Sequence, residues 1–391
     1  MTIEVSFPLS GDIAFTTSVS IIEAEYQHSV VSLDLPGSQA GQDFVHGTPV
    51  HIHFSGYRGD PAEWYGYVDT VRQSTNRTHQ SQSSAVCVGM TYPLKEQRQD
   101  VWSNATGDGV AEAMAARWRL GVDLEPSDRV WPSLAQAGMS DWALLVTLAH
   151  DLGYTLYSRG PLLCFYTRAR DLSAYGDVAP IFEYTAQQTN TDIIEFEPQS
   201  SASQIANNQN QLTTVDSTGA VVQFANADGT GSILGSIDTL PNFTSVNMTT
   251  ATDAQEASQI LLAQIEDNRF HIRAKARLRG DTRLRPALPI YLAGLPAQWN
   301  GQWFVLQVTH QLAPRTNQST GLDTYYCDVL IGRDGMGPST AIPAQGDVNF
   351  SDGVTAEIGP TGLWQCGPFV QTPEEAPPPD FVLERLAARG L

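Results

Sequence analysis

The chain has 391 residues with a formal net charge of −20. That length allows two or three domains that each bury a core. The charge excludes a general binder of phosphate backbones, which needs the opposite sign.

From Thr2 to Trp102 the pattern is β. Ile3, Val5 and Phe7 alternate with polar residues, and Val30–Leu35, Pro49–Phe54, Tyr65–Val71 and Ala85–Thr91 follow at the spacing of an all-β unit. No lysine or arginine precedes Arg58, whereas Glu4, Asp12, Glu23, Glu25, Asp34 and Asp43 all do, so this stretch carries negative potential. The period then changes. Gly107–Trp118 places Val110, Ala113, Met114 and Arg117 on a helical stripe. A second helix is expected from Ser140, a good N-cap, to Leu152, with Gly153 as its stop. Tyr154–Ser158 and Leu162–Tyr166 read as a hairpin about Arg159-Gly160.

Asp171–Asn268 is again mostly β and contains no lysine or arginine. Val221–Phe224 before Asp228-Gly229 reads as a strand and turn. Thr252–Asn268 interrupts it with helical spacing at Ala254, Ala257, Leu261 and Ile265. In Phe270–Gly280, Ile272, Ala274, Ala276 and Leu278 form a dry face opposite His271, Arg273, Lys275, Arg277 and Arg279. Strands at Pro289–Ala293, Trp303–His310 and Thr324–Ile331 complete the set, with Asn300-Gly301 as a turn. After Gly337 the composition turns to Pro, Gly and acids. Pro373–Pro379 reads as a stiff linker and Phe381–Leu391 as a short amphipathic helix or a frayed tail.

An internal repeat stands out. Pro49-Val50-His51-Ile52 matches Pro289-Ile290-Tyr291-Leu292, with Gly56 and Gly294 soon after each. Tyr67–Val71 matches Phe304–Val308 in apolar spacing, and each copy continues to a strand bearing a cysteine, Cys87 or Cys327. The expected fold class is therefore mainly β with an α+β insert and two related small barrels in tandem. The expected divisions are 1–103 for the first barrel, 104–172 for the insert, 173–336 for the second barrel with a helix at 252–268, and 337–391 for a Pro-rich tail.

Chemistry is sparse. Cys87, Cys164, Cys327 and Cys366 lack C-x-x-C spacing and read as reduced thiols. His51 and His53 share a strand face, with no acid or cysteine nearby in sequence to complete a metal site. Asp141 and His150 lie too far apart along one helix to form an acid–base pair, ~13 Å at 1.5 Å per residue. No nucleophile elbow, zincin, Walker or dinucleotide motif occurs. The expectation is no enzyme, no cofactor and no metal. The N-x-S/T sequons are incidental, since Met1–Ser10 lacks the features of a secretory signal. No apolar run approaches the ~20 residues of a membrane span.

Three patterns resemble the hub proteins of phage tail baseplates, a family that includes late control protein D and the hub part of type VI secretion VgrG spikes. The first is Thr91-Tyr92-Pro93-Leu94-Lys95 with Val101-Trp102 beyond. The second is Ser140-Asp141-Trp142-Ala143-Leu144-Leu145 with Leu148-Ala149 and Leu152-Gly153-Tyr154. The third runs through Gly280-Asp281, Leu284-Arg285-Pro286, Ile290–Gly294, Gly301–Val305 and Val308-Thr309-His310. The family has a glycine where Ala287 stands, so the turn before Pro289 is expected to differ.

The resemblance implies a homotrimer whose three chains present six similar barrels, a pseudo-hexameric ring that adapts a sixfold tail tube to a threefold spike or tip. It implies a place at the tail baseplate or tip of a virion, after assembly in a host cytoplasm. The implied neighbours are the tail tube or a distal tail protein, a spike or tip protein and the tape measure protein, with DNA passing through unbound. Candidates for an acidic lumen wall are Glu4, Asp12, Glu23, Glu25, Glu195 and Glu197. Candidates for subunit docking are Arg269, Arg273, Lys275, Arg277, Arg279, Arg283 and Arg285, which alternatively pair with acids of their own chain. Two other readings stay open: a tail protein that recognises host-surface carbohydrate, and a tail-borne cell-wall hydrolase.

Overall fold

The computed structural model describes residues 2–8, 12–14, 18–36, 45–56, 58–75, 81–175, 179–186, 191–199, 210–215, 221–226, 234, 237–238, 244–249, 263, 266, 269–313, 325–337 and 354–366. The chain opens with β1 (Thr2–Phe7), β2 (Asp12–Ala14), β3 (Ser18–Ala24), β4 (Val30–Pro36), β5 (Pro49–Ser55), β6 (Ala62–Thr75) and β7 (Ser81–Gly89). Strand β4 shows the cause most plainly. Val31, Leu33 and Leu35 are buried while Ser32 and Asp34 are exposed, so one pleat face carries the core and the other meets water. Strand β3 has no counterpart among the expected strands, because Ile22 and Glu23 break its alternation after Val19 and Ile21.

An α/β insert follows, made of β8 (Val101–Thr106), α1 (Gly107–Arg117), β9 (Gly121–Leu124), β10 (Val130–Ala135), α2 (Asp141–Leu152), β11 (Tyr154–Arg159), β12 (Leu162–Thr167) and α3 (Arg168–Tyr175). Helix α2 starts and stops where its sequence dictates. Ser140 Oγ accepts from the Ala143 N–H at 3.1 Å, and Gly153 closes the helix in the left-handed region at φ 67°. At the head of α2 the buried Asp141 carboxylate accepts from Gln136 Nε2 at 2.8 Å, Arg117 Nη1 at 3.1 Å and Trp118 Nε1 at 3.3 Å. It is a packing anchor, and His150 at the other end of the helix takes no part in it.

The remainder adds β13 (Ile181–Glu183), β14 (Ile193–Gln199), β15 (Asn210–Val215), β16 (Val221–Asn226), β17 (Ile237–Asp238), β18 (Thr244–Thr249), β19 (Ile272–Arg279), β20 (Pro289–Ala293), β21 (Gly301–Leu312), β22 (Tyr325–Arg333) and β23 (Gly335–Met336). Of the helix expected at 252–268, only Ala263 and Glu266 are among the described residues, and both are helical. The fold is mostly β with an α+β insert, as expected.

One sheet of thirteen strands runs β14-β19-β22-β21-β3-β4-β7-β6-β5-β1-β2, with β20 between β21 and β13. It consists of two units with the same internal order, β5-β6-β7-β4-β3 and β20-β21-β22-β19-β14, joined where β21 pairs with β3. The correspondence extends to register. Pro49 pairs with Tyr67 as Pro289 pairs with Phe304. A bulge interrupts β6 between Val68 and Thr70 and β21 between Val305 and Gln307. Before each proline the same turn recurs. Gly47 N–H donates to Val68 O at 2.7 Å, and Ala287 N–H to Val305 O at 2.9 Å. Gly47 has φ 78° and Ala287 φ 64°, so the alanine adopts the left-handed conformation that its glycine counterpart takes freely.

The repeated cysteines are a coincidence of strand and not of position. Cys87 pairs with Val68, whose counterpart Val305 pairs with Ile331, while Cys327 pairs with His310.

Both units contribute to one apolar cluster, including Val31, Leu33, Val50, Ile52 and Cys87 from the first and Ala274, Leu278, Ile290, Trp303 and Ile331 from the second. The insert covers Tyr65, Tyr67 and Val88 of the first unit. Its hairpin residues Tyr157, Cys164 and Tyr166 cover Phe270, Ala287 and Phe304 of the second. Tyr67 and Phe304, equivalent in register, are thus both buried beneath the insert. Beyond Gly337, residues 354–366 form a hairpin of β24 (Ala356–Ile358) and β25 (Trp364–Cys366), where only a tail was expected. Trp364 inserts its indole against Tyr65, and its Nε1 donates to Gly66 O at 2.8 Å. The Pro373–Pro379 linker and the Phe381–Leu391 helix expected from the sequence lie outside the described residues.

Candidate functional site

The thirteen-stranded sheet carries most of the charged residues singled out in the sequence. Strand β19 lies between β14 and β22, and pairing sets charges opposite one another. Glu195 faces Arg277, Glu197 faces Lys275 and Gln199 faces Arg273. Arg277 also donates to Asp328 across the other flank, Nε to Oδ1 at 2.7 Å, with Glu195 at 3.9 Å. Acids expected to line a lumen and cations expected to dock a neighbour therefore share one ladder. Arg273 and Lys275 are the exposed cations of this strand, and Glu195 and Glu197 the exposed acids of β14.

The other candidates are scattered. Arg269 pairs with the half-buried Glu266 and with the fully buried Asp334. Arg279 is half-buried. Arg283 pairs with the fully buried Asp281 at 2.7 Å. Arg285 is buried and interacts electrostatically with Tyr157, Tyr166 and Asp171 of the insert. On the acidic side, Glu4 is exposed on β1 opposite His53. Asp12 lies at the start of β2, paired with Phe7. Glu25 is buried and takes Arg168 Nε at 3.1 Å and Nη2 at 3.0 Å, with Thr155 Oγ1 at 2.7 Å. Its charge is spent on fastening the insert to the end of β3, a contact between residues 143 apart that sequence spacing does not reveal.

Glu23 turns inward, into the wall of a cavity of about 320 Å³ where the two units meet the insert. Burial, partly offset by Arg285, pushes its carboxyl up to about 7. The same cavity is bordered by Asp60 and Glu63 as well as Arg159, Arg283 and Arg285, a mixed set of charges with no single sign.

Two arrangements invite a chemical reading. His51 and His53, which lacked an acid nearby in sequence, both approach Glu63, at 3.8 Å and 3.7 Å. The acid arrives on β6, across the β5–β6 pairing. His51 stacks on Tyr65, and no group of three or more metal-binding side chains occurs among the described residues. Cys327 Sγ lies 3.3 Å from His310 Nδ1. The other ring nitrogen, Nε2, faces Leu284 O at 3.1 Å and so must carry the proton, leaving Nδ1 to accept from Tyr325 Oη at 2.8 Å. Burial pushes the thiol up to about 12 and the imidazole down to about 4. A neutral thiol beside a neutral imidazole is core packing, because an attacking sulfur must be a thiolate.

Comparison with solved structures agrees with the sheet architecture. The chain superposes on a tail protein from Neisseria meningitidis MC58 with a TM-score of 0.59 at 12% identity, covering 86% of this chain and 97% of that one. It superposes on the 43 kDa tail protein of prophage MuSo2 from Shewanella oneidensis with a TM-score of 0.58 at 13% identity, covering 85% and 99%. The E. coli c3393 protein, a component of the type VI secretion system similar in structure to the T4 tail proteins gp27 and gp5, matches with a TM-score of 0.52 at 12% identity, covering 86% and 76%. The fold is that of phage tail proteins and of their type VI secretion relatives. By sequence, the chain belongs to the family described as the Alg8 N-terminal domain, whose model matches residues 27–314. No curated protein matches the sequence. Among the described residues no helix is long and apolar enough to cross a membrane.

Proposed function

We propose that this chain is a structural hub of a phage or phage-like tail, a homotrimeric ring that joins a sixfold tail tube to a threefold spike or tip and surrounds the DNA path. The observation that carries the reading is the duplication: two units with the same strand order, the same bulge and the same entry turn, fused edge to edge in one sheet. A chain that repeats its own unit can meet a sixfold partner with three copies, and closed point-group symmetry is the common form of homo-oligomers. The charge pattern suits a conduit for DNA. With 42 acids against 22 bases, and with Lys275 and Arg277 of β19 set opposite Glu197 and Glu195, positive charge able to hold phosphates is scarce. On this reading the role is mechanical and no catalytic step is assigned. The partners are a tube or distal tail protein on one side and a spike or tip protein on the other.

The test is mass and symmetry. Light scattering on the purified chain should give about three times its 42.5 kDa, and negative-stain images should show a ring of six lobes. A monomer at tens of micromolar, or a particle with twofold symmetry, would overturn the proposal. Zymography on cell-wall material tests the structural assignment separately, and a clearing band would refute it.

A further inference from the structure

The seam inside the chain offers a template for a seam between chains. This inference rests on the hub reading and deepens it by naming the two edges that meet and their register. Inside the chain, β21 uses Gly301–Phe304 to pair with β20 and Gln307–Leu312 to pair with β3. In the equivalent strand, β6, Ala62–Tyr67 pairs with β5, but the outer edge from Thr70 to Thr75 bears no strand among the described residues. The equivalent of β3 is β14, which among the described residues is the terminal strand of the sheet, with β19 on one side alone. Among the described residues, each chain therefore presents one unpaired edge of each kind that it has already joined internally. Such edges are templates for strand addition.

We infer that β14 of one chain adds antiparallel to Thr70–Thr75 of β6 in a second copy, in the register of β3 on β21. The internal pairings transfer directly. Thr309 faces Ile22, Gln311 faces Ser20 and Leu312 faces Val19. Carrying β21 onto β6 through Phe304 and Tyr67, and β3 onto β14 through their pairings with β4 and β19, gives the pairs between chains. Arg72 meets Gln199, Ser74 meets Glu197 and Thr75 meets Phe196.

The seam differs from the internal one in charge. Arg72 is exposed, and Glu197 sits two positions from its direct partner, a diagonal of ~7–8 Å that a long side chain spans. At the equivalent internal positions stand Thr309 and Ser20, which are uncharged. An ion pair at the outer seam and none at the inner one distinguishes assembly from folding. Pro198 withholds one N–H from the ladder, which edge strands tolerate.

The experiment is cysteine cross-linking in full-length protein carrying Cys366→Ser. Arg72→Cys combined with Gln199→Cys places directly opposed Cα atoms at ~4.5–5.5 Å, within disulfide reach. Mild oxidation should then yield linked dimers and trimers on a non-reducing gel. Arg72→Cys with Glu197→Cys, one diagonal out of register, should yield far less. Co-expressed single variants, Arg72→Cys with Gln199→Cys on separate chains, should give linked dimers and no trimers. If scattering shows trimers without cross-links, the register is overturned while the hub reading stands; a monomer overturns both. Should the cysteine variants fail to fold, charge reversal decides instead. Arg72→Glu should reduce the trimer fraction severalfold, and Glu197→Arg in the same chain should restore it; failure of that rescue overturns the proposed contact.

Discussion

The entry turn of the two units offers a matched pair of substitutions. Gly47 and Ala287 occupy the same place, with φ 78° and 64° and equivalent hydrogen bonds to Val68 O and Val305 O. For a residue with a Cβ, the left-handed region costs ~1–2 kcal/mol. Gly47→Ala takes on that cost and recovers ~0.4–1 kcal/mol from a stiffer unfolded chain, so the net loss is about 1 kcal/mol. Ala287→Gly relieves the strain but forfeits a fully buried methyl, ~0.8 kcal/mol, and loosens the unfolded chain by ~0.5–1 kcal/mol. Its net effect is close to zero. In urea, with a slope of ~2 kcal/mol/M, the first variant should lower the midpoint by ~0.5 M and the second should leave it nearly in place. A neutral Gly47→Ala would refute the argument, since it would mean that the turn relaxes to negative φ at no cost. A strong stabilisation by Ala287→Gly would show that the alanine methyl contributes nothing to packing.

Three further predictions address the joints between the parts. Arg168→Met leaves Glu25 buried without its cation. At 5% side-chain exposure for each partner, the loss should be ~3–5 kcal/mol in denaturant unfolding, and a loss below ~1 kcal/mol would show that the pair is not buried in solution. Glu23, with its carboxyl pushed up to about 7 from 4.5, binds more proton in the folded than in the unfolded state between those values. Its contribution therefore favours folding below about pH 4.5 and is lost as pH rises through 7, so Glu23→Gln should flatten the decline in stability from pH 5 to pH 8; an unchanged pH profile would contradict this. Trp364→Ala removes the buried indole by which the 354–366 hairpin docks, at ~3–5 kcal/mol. Limited proteolysis should then release residues 354–366 first, and resistance equal to that of the parent chain would count against the docking.

Legibility followed the range of each signal. Helix α2 was readable end to end because its cap, apolar stripe and glycine stop all lie within fourteen residues. Strands with strict alternation, such as β4 and β19, were equally plain. Strand β3 was not, although it joins the two units, because its pattern holds for only a few residues before Ile22 and Glu23. The repeat was visible in the apolar spacing of Tyr67–Val71 and Phe304–Val308, yet the paired cysteines were misleading. Only register shows that the counterpart of Cys87 is Ile331. The charged strand was legible as an alternation, but its neutralisation by β14 and Asp328 depends on which strands lie beside it.

By itself, then, the sequence determined the local elements, the acid excess and the existence of two similar units, because periodicity and composition are properties of the chain alone. The tertiary structure decided how those units are joined, which charges remain exposed, and that residues 354–366 fold back onto Tyr65 and Gly66 through Trp364. Those outcomes depend on contacts between residues far apart in the chain, where pairing and burial are set by neighbours that no sequence window contains.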